Sequence, residues 1–507
     1  MADSDQKDAP RATANRSTTP SSEAFAAYIS QGWAGRPSGV GEPRPQAAFA
    51  VERRARLSAL YPGARIVIPA GPARQRSNDT DYPYRAHSAF AHLTGWGADT
   101  VPGSVLVLEP RAADAVDAEP AGHDAVLYFR EAAGRDSDEF YANPEVGEFW
   151  TGPRPNALDV SVDLALTTRG LGALEHVIEA VDADTVLIRE ADRELTDRVD
   201  AQRLLLAGDD DGPADLDAER DAQLACDVSE LRLVKDAFEI EQLRLAVAAT
   251  KQGFDDVIAD LPEIVAHPRG ERLVAGTFDR RARAEGNTVG YDTIAASGPH
   301  ACILHWTRND GPVLRGDLIL IDAGVELESY YTADITRTLP VSGAFTAIQR
   351  RVYETVLEAA DAAFAIVRPG IRFREVHAAA MQVIAARTAE WGLLPVTADE
   401  ALQPEGGQHR RYMVHGTSHH LGLDVHDCAQ ARRDLYLDGV LEEGMVFTIE
   451  PGLYFQPDDL TVPEEFRGIG VRIEDDVLVT ASGCENLSAG IPRTADEVEA
   501  WLARARG

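Results

Sequence analysis

Several acidic residues stand at the ends of apolar runs, where a carboxylate needs a reason to be. In Asp317–Gly324 (DLILIDAG), Leu318–Ile321 lead straight into Asp322. A carboxylate ending a buried strand is unfavourable unless compensated. A cation is one compensation; a capped turn around Ala323 and Gly324 is another. Asp334 follows within Tyr330–Leu339 (YYTADITRTL), read as the next strand. A hairpin of the two segments either brings both aspartates inward or leaves them on different sides. Brought together, like charges raise one pKa strongly unless a metal neutralises both. Glu450 repeats the pattern, ending the apolar part of Gly444–Gly452 (GMVFTIEPG) before a Pro-Gly turn. In Gly470–Val479 (GVRIEDDVLV), strand alternation puts Val471 and Ile473 on one side and Arg472 and Glu474 on the other. That arrangement describes either a charged inner site or a surface salt bridge.

His415–His426 (HGTSHHLGLDVH) holds four of the 13 histidines. His415 and His419 have the four-residue spacing of a metalloprotease helix, but Gly416, Thr417, Ser418 and Gly422 disfavour a helix. An irregular loop presenting imidazoles into a site is the expectation. Two aspartates, two glutamates and one imidazole form an oxygen-rich set, better suited to Mn(II) or a similar divalent ion than to structural zinc. Pairs of such ions, held by bridging carboxylates, activate a water and stabilise a tetrahedral intermediate. The implied reaction class is metal-assisted hydrolysis.

These segments need a scaffold, and 507 residues are enough for two domains. Met1 to about Ser22 reads as a disordered tail. From Glu23 the texture is mixed α/β: a helix over Val51–Leu60, strands over Ala64–Pro69, Ser104–Leu108 and Ala125–Arg130. Leu206–Asp221, with its Asp209–Pro213 run, reads as a loop or linker. The boundaries expected are a tail at 1–22, an N-terminal domain at 23–228 and a catalytic domain at 229–507. Helices are expected over Lys235–Lys251, Thr346–Val367 and Arg374–Trp391. The net charge of −34 argues against nucleic-acid partners. No apolar run is long enough to span a bilayer. Cys226, Cys302, Cys428 and Cys484 are too widely spaced for a disulfide framework. With an N-terminus unlike a signal peptide, these features imply a soluble cytoplasmic protein.

Six strings together resemble the metallopeptidases of the pita-bread fold, the aminopeptidase P family among them. They are CILHWT (Cys302–Thr307), IDAG (Ile321–Gly324), ADITRT (Ala333–Thr338), HGTSHHLGLDVHD (His415–Asp427), TIEPGLY (Thr448–Tyr454) and RGIGVRIEDD (Arg467–Asp476). Phe25–Trp33, Tyr61–Ile68 and Asp81–Trp96 extend the resemblance to that family's N-terminal domain. The resemblance implies an α+β fold, with a pita-bread catalytic domain preceded by a smaller mixed α/β domain. It implies two divalent metals, manganese by expectation, held by Asp322, Asp334, His419, Glu450 and Glu474, with Asp334 and Glu474 bridging. It places His305, His415 and His426 on the substrate side, with His426 supporting the scissile carbonyl or the intermediate and Glu450 handling the proton of the attacking water. Arg472 and Tyr454 are implied to orient Asp322, and Tyr291 to line the substrate pocket. The stretch between Asp322 and Asp334 is one residue longer than in familiar members, near Glu328 and Ser329, where a turn can absorb it. The implied activity is removal of the first residue from peptides with proline second. Prolidase, which cleaves Xaa-Pro dipeptides with the same site, is the alternative; the N-terminal string and RGIGVRIEDD favour the aminopeptidase. A non-catalytic peptide-binding protein on this fold would be expected to lack metal ligands. The N-terminal domain implies a homodimer or homotetramer in which one chain helps frame a neighbour's site.

Overall fold

The computed structural model describes residues 19–20, 22–35, 41–78, 80–111, 122–207 and 213–505. Most of the expected tail, and Asp209–Gly212 of the expected linker, lie outside these residues. The chain divides into two compact units, Met1–Ala222 and Gln223–Gly507.

The first unit is built on a five-stranded mixed sheet in the order Thr167–Gly170, His123–Phe129, Val105–Pro110, Ile66–Pro69, Val186–Leu187. The three central strands are antiparallel and the two edge strands pair in parallel. Val67, Val107, Val126 and Tyr128 share a core with Leu174, Val177 and Ile178 of one helix and Leu195 and Val199 of another. The helix Ala47–Leu60 buries Arg53 and Arg54. Their guanidinium groups donate to the carbonyls of His92 and Leu93 at 3.0 and 2.7 Å, at the end of the helix Ser88–Thr94 where carbonyls lack partners. The strands expected near residues 64, 104 and 125 are present.

The expected linker over Leu206–Asp221 is corrected. Leu206 ends within the helix Arg193–Ala207, and a second helix runs over Pro213–Glu230. Proline at the first helical position loses no hydrogen bond, so Pro213 starts a helix here rather than breaking one. Asp221 on that helix is buried, accepting from the Leu187 amide at 2.9 Å and from Arg203.

The second unit opens with the 30-residue helix Ala237–Ala266, begun by a capping box between Asp236 and Glu239. Leu243, Val247, Phe254, Ile258 and Leu261 form its buried stripe. The helices Ala347–Ile366 and Phe373–Glu390 match their expected spans to within a residue. Two antiparallel three-stranded sheets carry the acidic strand ends. One has the order Ile335–Pro340, Leu318–Ala323, Ile294–Ser297; the other Val446–Ile449, Asp475–Thr480, Gly483–Asn486. A separate pair joins Gly452–Tyr454 to Gly470–Arg472.

The hairpin expected of the first two aspartate segments forms, with Asp322 opposite Thr336. Its connection is longer than a turn. Val325–Glu326 pairs away with Thr288–Val289, and the chain reverses through a turn at Glu328 and Ser329 closed by Tyr330 at φ 71°. Two strand extents are corrected. The second strand begins at Ile335, so Asp334 precedes it. Gly470–Val479 is two strands broken at Ile473 and Glu474, because the first half pairs with Gly452–Tyr454 and the second with Val446–Ile449.

Candidate functional site

The segments carrying Asp322, Asp334, His419, Glu450 and Glu474 converge in the second unit. Asp322 lies on the central strand of its sheet, and the turn preceding Ile335 swings Asp334 toward it. The Tyr291 hydroxyl lies 2.6 Å from Asp322 Oδ1 and 2.5 Å from Asp334 Oδ1. Of the two readings of this hairpin, the convergent one is therefore correct. The close approach demands glycine at 324, where a Cβ would meet the Ala333 carbonyl oxygen at 1.7 Å.

Neither aspartate is compensated by a capped turn. Arg472 Nη2 donates to Asp322 Oδ2 at 2.5 Å. Arg472 is 4% exposed and Glu474 2%, which rules out a surface salt bridge. The same guanidinium donates through Nη1 to the Tyr454 hydroxyl at 3.1 Å and through Nε to Thr336 Oγ1 at 3.1 Å. Thr336, opposite Asp322 in the hairpin, donates its own hydroxyl to Glu474 Oε2 at 2.7 Å. Tyr454 in turn lies 2.7 Å from His415 Nε2, whose Nδ1 lies 2.6 Å from the Gly416 carbonyl. Burial first, then Arg472, lowers the His415 pKa to about 3. A neutral ring accepting from Tyr454 and donating to Gly416 satisfies every group in this chain. Tyr454 thus meets Asp322 through Arg472.

The loop holding the histidines is irregular, as its glycines dictate. It is fixed by backbone bonds to the Val446–Ile449 strand end: Thr448 N to His419 O at 2.9 Å and Glu450 N to Thr417 O at 2.8 Å. His419 Nδ1 lies 3.2 Å from the His420 carbonyl, so Nε2 turns to the carboxylates. It is 3.2 Å from Asp334 Oδ2, 3.6 Å from Glu450 Oε1 and 3.9 Å from Glu474 Oε1. Ligand atoms of Asp334, His419 and Glu474 all lie within 4.8 Å of one another. The His426 ring packs edge-on against His419 at 4.2 Å. His305 is exposed and lies within electrostatic reach of His426.

The electrostatics of the cluster are those of an unneutralised anionic site. Burial, more than any neighbour, pushes the pKa of Asp334 up, that of Glu450 to about 7 and that of Glu474 well above the carboxylate range. Burial opposes a charge on His419, but Asp334 and Glu450 prevail and lift it to about 9. One tyrosine proton cannot serve two aspartates, and Arg472 with a protonated His419 cannot balance four carboxylates. A divalent cation among them removes both conflicts, so the donor set fits a metal. Thr336 was not legible as part of the site, because a threonine in a strand carries no signal of its own. Asp476 was also missed. Its Oδ2 accepts from the Asp334 amide at 3.3 Å, while Oδ1 is buried without a hydrogen-bond partner.

A family model described as metallopeptidase family M24 matches residues 241–481, and one described as the aminopeptidase P N-terminal domain matches residues 50–166. A Streptomyces coelicolor protein named Xaa-Pro aminopeptidase 2 is 49% identical over 95% of this chain and 97% of its own length. The structure of Pseudomonas aeruginosa aminopeptidase PepP superposes with a TM-score of 0.74 at 32% identity, covering 91% of this chain and 99% of that one. A substrate complex of an Escherichia coli aminopeptidase P variant gives a TM-score of 0.75 at 30% identity over 92% of this chain and 100% of that one.

Proposed function

The chain belongs to the aminopeptidase P branch of metallopeptidase family M24, and from that membership we infer that it hydrolyses the N-terminal Xaa-Pro bond of peptides in a metal-dependent reaction. The observation that supports this best is the convergence of Asp322, Asp334, His419, Glu450 and Glu474 in one largely buried cluster. We propose that Asp322, Asp334, His419, Glu450 and Glu474 hold two divalent ions, manganese by donor chemistry, with Asp334 and Glu474 shared between them. When bound, such ions polarise a carbonyl and make water a usable nucleophile near neutral pH.

The protein's own groups do the rest. Glu450 takes a proton from the attacking water and returns it to the departing proline nitrogen. His426, beside His419, donates to the carbonyl oxygen as it gains charge. His415 and His305 bind the substrate backbone. Arg472 and Tyr291 hold Asp322 in place, and Tyr454 steadies Arg472 and His415. The scissile bond precedes proline, so it is a tertiary amide without an N–H, on a residue with fixed φ. Enzymes that need that N–H stall there; a pocket shaped for the ring does not. His426→Ala is expected to lower kcat by about 10²–10³-fold, the usual loss for one oxyanion donor, with metal content unchanged by elemental analysis.

The free cysteines favour a reducing compartment, and we place the protein in the cytoplasm. Among the described residues no helix is long and apolar enough to cross a membrane. A homodimer or homotetramer, with the N-terminal unit of one chain beside a neighbour's site, accords with the exposed Tyr28, Phe149 and Trp150 of that unit. The deciding assay compares manganese-loaded and chelated protein on an Xaa-Pro-Yaa tripeptide and an Xaa-Pro dipeptide. Metal-dependent release of Xaa from the tripeptide is expected. Cleavage of the dipeptide alone would make the chain a prolidase, and no cleavage of either would make it a binding protein.

A further inference from the structure

Glu271 is a fully buried carboxylate that lies outside the metal cluster. It sits in the first turn of the helix Gly270–Glu285. Its four hydrogen bonds all come from one stretch of chain. Oε1 accepts from the Ser297 amide at 2.8 Å and pairs with His300 Nδ1 at 2.8 Å. Oε2 accepts from Trp306 Nε1 at 2.9 Å and from the Gly311 amide at 2.7 Å. His300 and Trp306 stack on each other with centroids 3.9 Å apart. At Gly311 a Cβ would meet His300 Cε1 at 2.7 Å and Glu271 Oε2 at 2.8 Å, so the segment closes this tightly only on glycine. Asn309, at φ 47°, ties the same stretch to its sheet by accepting from the Ala295 amide and donating to the Thr293 carbonyl.

His305 is an exposed residue between these anchors, directly before Trp306, with Ile303, Thr307 and Arg308 exposed beside it. A buried carboxylate is costly to desolvate and is retained where its lone pairs are filled. Here they are filled entirely by the residues flanking a substrate-side histidine. We propose that Glu271 is a positioning residue for His305: it gathers the chain from Ser297 to Gly311 around its two oxygens and thereby fixes where that imidazole meets the substrate. The inference rests on the substrate role of His305. Each Glu271 oxygen receives two donors, so an amide cannot replace the carboxylate. In Glu271→Gln the carboxamide NH2 would face a backbone amide donor whichever way it turned, that of Ser297 or that of Gly311, which makes this nearly isosteric substitution the informative one.

The test is a double-mutant cycle on kcat/KM for an Xaa-Pro-Yaa tripeptide, using metal-loaded full-length protein. Glu271→Gln is expected to lower kcat/KM roughly 10- to 100-fold, the scale of an ångström-sized misplacement, at unchanged metal content. In a His305→Ala background the same substitution is expected to cost less than about twofold, since its target is gone. Trp306→Phe, which removes one donor and keeps the stacked ring, is expected to give a smaller loss with the same dependence on His305. It also serves if Glu271→Gln does not fold. Equal losses in both backgrounds, or no loss in the His305-containing protein, overturn the inference alone. Full activity in His305→Ala overturns the substrate role of His305 and the inference with it.

Discussion

Glu474→Ala is expected to lower kcat/KM by at least about 10³-fold, equivalent to ~4 kcal/mol of transition-state stabilisation. Glu474 is 2% exposed, receives the Thr336 hydroxyl at 2.7 Å and faces His419 at 3.9 Å. In the bridging role proposed for it, a carboxylate lost from this buried position could not be replaced by solvent, so bound metal per chain should fall together with activity. Glu474→Gln separates charge from volume. Its carboxamide keeps nearly the same shape and can still accept from Thr336, but it has no carboxyl group whose ionised form is penalised first by burial and then by Asp334 and Glu450. Activity is expected to be lost as in the alanine variant. The chelated variant, however, is expected to resist urea at least as well as the chelated parent near neutral pH, because folding no longer has to bury a group that is ionised in the unfolded chain. Activity at the parental level in Glu474→Ala would end the dinuclear reading. A chelated Glu474→Gln protein that is markedly less stable would show that the carboxylates are not in conflict.

Arg472→Met is the second large effect, and it is primarily one of stability. Arg472 donates to Asp322, Tyr454 and Thr336 from a position 4% exposed. Removing one partner of a buried ion pair costs about 3–5 kcal/mol, because the other charge stays buried and unpaired. That loss is expected in chelated protein by urea unfolding. With manganese bound, Asp322 has a second compensating cation, so the penalty is expected to shrink. An equal penalty with and without metal would mean that Asp322 does not share its charge with the ion. Loss of the Tyr454 contact frees His415, so kcat/KM should also fall in the loaded variant.

Much of the scaffold was legible because it rests on local physics. The helices Ala237–Ala266, Ala347–Ile366 and Phe373–Glu390 carry apolar stripes and, at the first two, Asp236 and Thr346 as N-caps, although the first runs on to Ala266, well past the end expected at Lys251. The irregularity of His415–His426 followed from its glycines and hydroxyl residues. The exceptions are instructive. Pro213 was read as a break although a proline can open a helix as easily as end one. Gly470–Val479 looked continuous because alternation over ten residues cannot report that its halves pair with different partners.

The site divides along the same line. Sequence alone determined which carboxylates are anomalous, since Asp322 and Glu450 end runs too apolar to end in a charge without cause, and which imidazoles cluster. It left open whether Asp322 and Asp334 face one another, and whether Arg472 and Glu474 are outside or inside. Those questions concern register and burial, which are set by contacts between residues distant in the chain. Only the tertiary structure put one tyrosine hydroxyl on both aspartates, sent Arg472 through Thr336 to Glu474, and closed the His305 segment around Glu271. A hydrogen bond between residues 291 and 334, or 271 and 306, leaves no trace in local spacing, because its partners are chosen by the packing of the whole unit.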